Sequence, residues 1–565
     1  MQEAVRAVLP EAVTDRLRVQ PCPDPKFGDY QTNSLMALAK ERKMNPRQLA
    51  TEVLGRLDVR EWCQSVEIAG AGFLNFRLHP QAMGQAVSAA LAGGPLFFAP
   101  AKSPRTIVVD FSSPNVAKPM HVGHIRSTVL GDSLVRIFRL LGHRVVTDNH
   151  IGDWGTQFGM LLVGWKTQLD RAALERDPIS EMERLYRAVT AAGQGDPAVL
   201  ERAREELVRL QNGDEENLGL WREMIALSQK QFDDLYARLG VKFDHVLGES
   251  FYNPQLSGVV ADLVGRGIVR ESEGAQVAFF EDIPELKDHP AIVQKKDGAA
   301  NYATTDLATL QYRLATWNPE EIVYVTDGRQ QLHFRQLFAI FRRWQPESKV
   351  KLAHVWFGSI LGEDNKPFKT RSGETVKLAE LLDEAQERAF QVVTAKNAEL
   401  PEAQRREIAR VVGLGAIKYS DLAQNRQSDY VFSWDKMLAL QGNSAPYLQY
   451  VYTRVRSIFR KEAGSESTAG AGGKVSLAAK EELALARHLL NFGLALEAVA
   501  EEYRPNYLCT YLFELAGHFA RFFENCPVLK AEGAEKASRL SLCLVTARVM
   551  EQGLNLLGIE VTEQM

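Results

Sequence analysis

The chain has 565 residues, too many for one hydrophobic core, so two to four domains are expected. A hydrophobic fraction of 45%, a charged fraction of 24% and a net charge of −4 are ordinary for a soluble globular protein, and any nucleic-acid surface must be local rather than announced by bulk charge. Five scattered cysteines with no C-x-x-C pair exclude a disulfide framework or zinc knuckle and fit a reducing compartment. MQEAVRAVLPEAV shows no signal peptide, and no run approaches about 18 uninterrupted apolar residues, so no membrane span is expected.

Residues 1 to about 80 alternate helical patterns with the turn-rich PCPDPKFGDY and end in VEIAGAGFLNFRL, a strand-like run punctuated by Gly70 and Gly72. LAGGPLFFAPAKSPR (91 to 105) has the composition of a linker, which sets a small α+β unit apart from the rest of the chain. TIVVDFSS (106 to 113) reads as a buried strand. Val122, Ile125, Val129, Leu130, Leu134, Ile137 and Leu141 then recur at helical spacing up to Gly142, a glycine placed to end the helix. HRVVTDNHIGDWG continues as a second strand and a polar loop, which completes a βαβ unit. Residues 165 to 240 are charged and helical, an insertion between sheet halves. QVAFF, EIVYVTD and VKLAHVWF resume the strands. From LAELLDEAQERAF onward the chain reads as helical, broken by a loop at EAGSESTAGAGGK (462 to 474).

His121 and His124 stand where the first βαβ strand hands over to its helix, in SSPNVAKPMHVGHIRST. Two imidazoles three residues apart can share a helical face, but no third metal ligand lies nearby at a recurring spacing. Capping or packing is the plainer alternative. A strand, a Pro-bearing loop and a helix N-terminus also make an anion site, and histidines there can donate to phosphate oxygens. Gly123 leaves room for a flat base against the backbone. In NYATTDLA, Tyr302 and Asp306 lie four apart and can face one pocket, although an ordinary helix N-terminus explains TTD equally well. YTRVRSIFRK sets Arg456 and Arg460 one turn apart among aromatics, a surface for phosphates and bases or simply a solvated helix face.

HVGH resembles the HIGH signature of class I aminoacyl-tRNA synthetases, and the longer DFSSPNVAKPMHVGHIRST resembles arginyl-tRNA synthetases in particular. NHIGDWGTQFG, NYATTDLA, FKTRSGETVKLAELLDEA and NSAPYLQYVYTRVRSI are similar to the same family in the same order, and FGDYQTN and GFLNF resemble its N-terminal domain. The mobile KMSKS loop of the class has its counterpart in FKTRS (368 to 372), with Arg371 at the second lysine's place and Phe368 at the first. Lys118 occupies the position of the lysine thought to compensate in arginyl enzymes.

The resemblance implies three parts. An N-terminal α+β tRNA-binding appendage covers 1–100. A Rossmann-type catalytic domain covers 101–390, with a helical insertion at about 165–245. A C-terminal all-α anticodon-binding domain of the DALR kind covers 391–565. It further implies an ATP-dependent arginine–tRNA ligase, monomeric and cytoplasmic, that forms arginyl-adenylate and transfers the arginyl group to tRNA(Arg). ATP would be a substrate, with Mg2+ accompanying it. Lys118, His121, His124 and Arg371 would stabilise the transferring phosphoryl group, with Gly123 lining the ATP site. Tyr302 and Asp306 would bind the guanidinium with Asp110 assisting, and Asn115 and Gln330 would hold the α-amino and carboxylate groups. Asp153, Trp154 and Gln157 would shape the adenosine pocket. Tyr452, Arg456 and Met565 would lie near the anticodon, and Phe73 and Asn75 near a D-loop base. The competing readings are a class I synthetase of another specificity, such as cysteinyl or glutamyl, and a non-catalytic RNA-binding relative. A dehydrogenase is disfavoured because no G-x-G-x-x-G follows the first strand.

Overall fold

A computed structural model describes residues 1–565 apart from Arg16, Pro367, 369–374 and 462–474, so the loop expected at EAGSESTAGAGGK lies outside the described residues. Near the N-terminus, helices Gln2–Val8, Ser34–Glu41 and Pro46–Leu54 cover four antiparallel strands, β1 (Gln20–Pro21), β2 (Tyr30–Thr32), β3 (Cys63–Ala69) and β4 (Phe73–Leu78), in the order β1-β2-β4-β3. The single strand-like run expected at VEIAGAGFLNFRL is therefore a hairpin. Gly70 (φ +53°) and Gly72 (φ +132°) turn it in conformations that L side chains avoid, and a Cβ on Gly72 would lie 2.9 Å from the Pro46 carbonyl oxygen. Asp29 pairs with Arg487 at 2.6 Å and the Tyr30 hydroxyl donates to Asn491 at 2.7 Å, which fastens this unit to the C-terminal helices.

Beyond helix Pro80–Leu91 come β5 (Thr106–Phe111), β6 (Arg144–Asn149) and β7 (His245–Val246). A separate antiparallel sheet comes next, made of β8 (Arg270–Ser272), β9 (Ala275–Ala278) and β10 (Ala291–Gln294), and then β11 (Glu321–Val325) and β12 (Lys351–His354). The main sheet runs β12-β11-β5-β6-β7 with every neighbour parallel. This is a doubly wound order whose direction reverses between β5 and β11, and a ligand crevice opens at the carboxyl ends there. The three central strands β11, β5 and β6 are buried almost end to end, as strands covered on both faces must be. QVAFF, expected to continue this sheet, instead belongs to the smaller one as β9. Helix Val122–Leu140 joins β5 to β6 and comes so close that a Cβ on Gly131 would sit 2.2 Å from Phe111 Cγ. Gly142 (φ +86°) stands just past its end, as the sequence predicts. The helical insertion begins at Gln157 rather than near residue 165 and runs to Leu239.

The C-terminal part is built on helices Leu378–Lys396, Glu402–Leu422, Ala445–Lys461, Lys480–Leu490, Phe492–Glu502, Asn506–Asn525 and Gly533–Leu556. It is not wholly helical: β13 (Ile360–Leu361) pairs in parallel with β14 (Tyr430–Val431), which joins it to the chain leaving the main sheet. Lys480–Glu502 is the described stretch apolar and long enough to cross a membrane, but it is split between two helices at Asn491.

A polar joint ties these parts together. Buried Lys418 donates to the carbonyls of Leu239 (2.6 Å) and Gly558, and burial pushes its ammonium down to about 8. Arg136, on the helix after β5, reaches Asp132 (2.7 Å), the Gly240 carbonyl (2.8 Å) and the Asn555 carbonyl (3.3 Å). The last residues continue as a strap held by Gln449 to the Glu560 carbonyl (2.8 Å), Arg410 to the Glu560 carboxylate (2.7 Å) and Thr453 to the Thr562 carbonyl (3.1 Å).

Candidate active site

The loop after β5 is bent by three non-glycine residues in the left-handed region, Ser112 (φ +73°), Ser113 (φ +49°) and Ala117 (φ +61°), each unfavourable by about 1 kcal/mol or more. Specific hydrogen bonds hold them there. Ser127 Oγ accepts from Ser112 N–H (2.8 Å), Asn149 Oδ1 from Ser113 N–H (3.0 Å) and Ser228 Oγ from Ala117 N–H (3.0 Å). Asn115 meets Gly152 of the next βα loop as a backbone bridge, and a Cβ on Gly152 would lie 2.2 Å from Asn115 Oδ1. The glycine in NHIGDWG thus makes the space for the asparagine side chain.

His121 and His124 form a reciprocal cap at the mouth of the helix. His121 Nδ1 accepts from Gly123 N–H (3.1 Å), and His124 Nδ1 accepts from His121 N–H (3.0 Å). A ring nitrogen that accepts carries no proton, so each neutral ring bears its proton on Nε2. Burial lowers both imidazoles. His124 is pushed down to about 3, with His121 adding to the shift, and Arg329 adds to the depression of His121. The ring centroids lie 4.0 Å apart. The structure thus shows the cap, and the cap leaves two neutral Nε2–H groups unused by it at the positive end of a helix. Among the described residues no three His, Cys, Asp or Glu side chains gather as a metal site. A Cβ on Gly123 would lie 2.9 Å from the His121 ring.

Beside the cap, at the switch point, opens a cleft of about 470 Å³. Asp110, Asn115, Tyr302, Asp306 and Gln330 all line it. Asp110 ends β5 and is already engaged: Arg313 donates to its Oδ2 (2.7 Å) and to Asp148 (2.8 Å), and Ser113 Oγ donates to its Oδ1 (3.1 Å). Tyr302, 74% exposed, and Asp306 face the cleft from the first two turns of helix Tyr302–Trp317. His333 Nε2–H donates to Asp306 Oδ2 at 2.5 Å. The sequence reading missed His150, Glu249, Arg329 and His333, which also line the cleft. Burial, reinforced by Asp306 and Asp153, pushes the Glu249 carboxyl up to about 7 against the pull of His150. Arg329 is held by Asp327 at 2.8 Å, so the cleft is acidic deep inside and carries a cation on the histidine side.

The other expected residues lie elsewhere. Lys118 is exposed, with its ammonium 5.6 Å from the Tyr186 ring of the insertion. Arg371 lies outside the described residues, while Phe368 stacks on Phe432 at 4.4 Å. Asp153 accepts from Ser250 N–H (2.8 Å) and Ser250 Oγ (2.6 Å) beyond the insertion, Trp154 packs edge-on to Trp221 within it, and neither lines the cleft. Gln157 begins helix Gln157–Gln168. Phe73 and Asn75 are neighbours on β4, Asn75 buried. Tyr452 is only 3% exposed; it donates to Glu563 (3.3 Å), as does Arg456 (3.1 Å), so the strap covers the surface expected to stack bases. Met565 packs against Val393, Ile408 and Val412.

Residues 86–434 match the family described as "tRNA synthetases class I (R), catalytic domain", and the doubly wound sheet with its paired-histidine helix mouth is the catalytic unit of a class I aminoacyl-tRNA synthetase. Residues 1–78 match "Arginyl tRNA synthetase N terminal domain" and 448–565 match "DALR anticodon binding domain". An arginine–tRNA ligase from Chromobacterium violaceum is 47% identical over 97% of this chain and 96% of its own. The arginyl-tRNA synthetases of Plasmodium falciparum (TM-score 0.83, 29% identity, 100% and 97% of the two chains) and Thermus thermophilus (0.81, 28%, 100% and 99%) share the whole architecture. The chain belongs to the arginyl-tRNA synthetase family, and with that membership comes the activity of an ATP-dependent ligase that charges tRNA with arginine.

Proposed function

We propose that the cleft at the β5–β11 switch point seats arginine, with its guanidinium between Asp306 and Glu249 beneath Tyr302 and its α-amino and carboxylate groups toward Asn115 and Gln330. A planar cation of fixed charge is matched by carboxylates in fork geometry, and two acids on one wall discriminate against uncharged side chains. Asp110 forms the floor, its charge shared with Arg313. ATP, bringing magnesium as part of the substrate, lies along the histidine cap. The arginine carboxylate attacks the α-phosphorus and pyrophosphate leaves; the terminal ribose hydroxyl of tRNA then attacks the acyl carbon and AMP leaves. No side-chain nucleophile is needed, so catalysis is alignment plus hydrogen bonds to charge developing on phosphate. His121 and His124 supply those bonds through Nε2–H, with Gly123 admitting the nucleotide, and Lys118 and Arg371 complete the charge. Tyr452, Arg456, Met565, Phe73 and Asn75 contact tRNA, whose arrival exchanges for the Glu563 contacts. The chain works as a cytoplasmic monomer divided near residues 100 and 390.

The convergence of Asp110, Asn115, Tyr302, Asp306 and Gln330 from three separate segments onto one cleft supports this reading. Purified protein should charge tRNA with arginine and not with lysine, cysteine or glutamate, and Asp306→Ala should raise the arginine KM at least tenfold while the ATP KM stays within about twofold. Unchanged arginine kinetics would remove Asp306 from the pocket.

A further inference from the structure

Among the cleft residues His333 has the least obvious task. It follows β11 on helix Gln331–Trp344, it lines the cleft, and its Nε2–H meets the carboxylate proposed to receive the guanidinium. The side chains are 28% and 22% exposed, so neither is sealed away from a ligand. The neighbouring ring of Phe334 is clamped by stacking on His354 at 4.3 Å, and His354 is itself held by Thr326 Oγ1 at 2.8 Å. His333 is thus delivered by a rigid element to one oxygen of Asp306.

We propose that His333 is a positioning residue for arginine that fixes Asp306 through this 2.5 Å hydrogen bond and, when protonated, competes with the substrate as a second cation for the same carboxylate, so that arginine binding expels a proton from the imidazole. The proposal rests on the reading of the cleft as the arginine site. Two opposing effects act on His333: burial lowers its pKa, while the Asp306 hydrogen bond and charge raise it, and the net shift is upward from 6.5. In the free protein the imidazolium therefore persists above the ordinary histidine range. A guanidinium arriving at Asp306 removes the reason for that upward shift and adds a repulsion, and linkage then requires arginine to bind more weakly as pH falls through the window just above 6.5. The charged and titratable groups around the pair are Asp306 and Tyr302 on the facing helix, Glu249 and His150 from the loops beyond β7 and β6, Asp110 at the end of β5, Tyr324 on β11, His354 on β12, Asp327 and Arg329 before the His333 helix and Arg335 within it. Glu249 is the rival source of a proton, since it too is raised, to about 7.

Calorimetric titration of the full-length protein with L-arginine at about pH 7, in two buffers of different ionisation enthalpy, counts the protons released. Wild type should release a fraction of a proton per arginine bound, and His333→Gln, which keeps an amide donor near Nε2, should release markedly less per arginine bound at saturation. Equal release from His333→Gln and wild type would overturn the proposal and pass the proton to Glu249. Asp306→Asn separates the two layers, because undiminished arginine binding in that variant would remove the arginine site itself. A second measurement needs no variant: the NMR titration midpoint of the labelled His333 imidazole should fall when saturating arginine is added, and an unmoved midpoint overturns the inference.

Discussion

His124 performs two tasks with two nitrogens, and a pair of amide substitutions can separate them. Nδ1 closes the helix cap by accepting from His121 N–H, and Nε2 carries the proton proposed to reach phosphate. Asparagine puts its Oδ1 close to the place of Nδ1 and has nothing at Nε2. Glutamine reaches the Nε2 position with an amide N–H and abandons the cap. Loss of a cap is worth about 1 kcal/mol, and loss of one donor aimed at transition-state charge about 3–4 kcal/mol, or roughly 10²–10³ in kcat. His124→Asn should therefore keep slow hydrogen exchange at the His121 amide yet lose about two to three decades of charging turnover at saturating arginine, ATP and tRNA. His124→Gln should show the reverse, with rapid exchange in the first turn and a smaller loss of kcat. The assay is steady-state aminoacylation beside exchange mass spectrometry of the 121–124 segment. An asparagine variant that turns over within about threefold of wild type would refute the argument that Nε2–H acts on phosphate.

Gly152→Ala should push Asn115 aside, because the new Cβ would lie 2.2 Å from its Oδ1; the expected result is a rise of about tenfold in arginine KM, one hydrogen bond to a charged substrate group having been lost. Arg313→Met leaves Asp110 and Asp148 buried without their shared partner and should cost about 3–5 kcal/mol in chemical denaturation, part of it recovered by adding Asp148→Asn. Half-buried His124, His354 and His518 are lowered by desolvation to about 3, 4 and 4, so below the unfolded value of 6.5 the unfolded chain binds protons that the native state refuses. Stability should accordingly fall as pH drops from 6.5 toward 4, and replacing His518 with Gln should make that fall shallower in acid-unfolding curves. Glu563→Gln releases Arg456 from an ion pair at 3.1 Å and should tighten tRNA binding about threefold at low salt, with stability within about 0.5 kcal/mol, as filter binding and thermal melts would show.

Local chemistry made much of this molecule readable. The βαβ start is visible because buried parallel strands are continuous apolar runs and their crossover helix has a 3.6 period, which places a ligand site beyond the end of β5, whereas Asp110 and Asn115 themselves came from the resemblance to arginyl-tRNA synthetases. His333 and Arg329 obey the same rule, since GRQQLHF follows the strand EIVYVTD just as SSPN follows TIVVDF, and a reading of every loop after a parallel strand would have found them. Glu249 carries no such signal. β7 has only two residues, and the helices from Gln157 to Leu239 separate it from β6. The hairpin at β3–β4 was read as one run because its turn, Gly70-Ala71-Gly72, is short and carries no polar residue to separate the strands. QVAFF misled because a strand's own composition does not say which sheet it joins. The covering of Tyr452 was equally out of reach, since it depends on a segment more than a hundred residues further along the chain.

The strap formed by the final residues has a consequence for how the molecule comes into being. Arg136 finds its Asn555 partner across a separation of 419 residues, and the Lys418 ammonium lacks one of its acceptors until Gly558 emerges. While the ribosome is still at work, the helix that follows His121 lacks its Asn555 contact, and until Arg487 is made the opening domain has no partner for Asp29. Such distant closures are entropically late events. The contacts of Asn555, Gly558 and Glu560 are thus among the last this chain can close, and removing them should loosen the helix that follows β5.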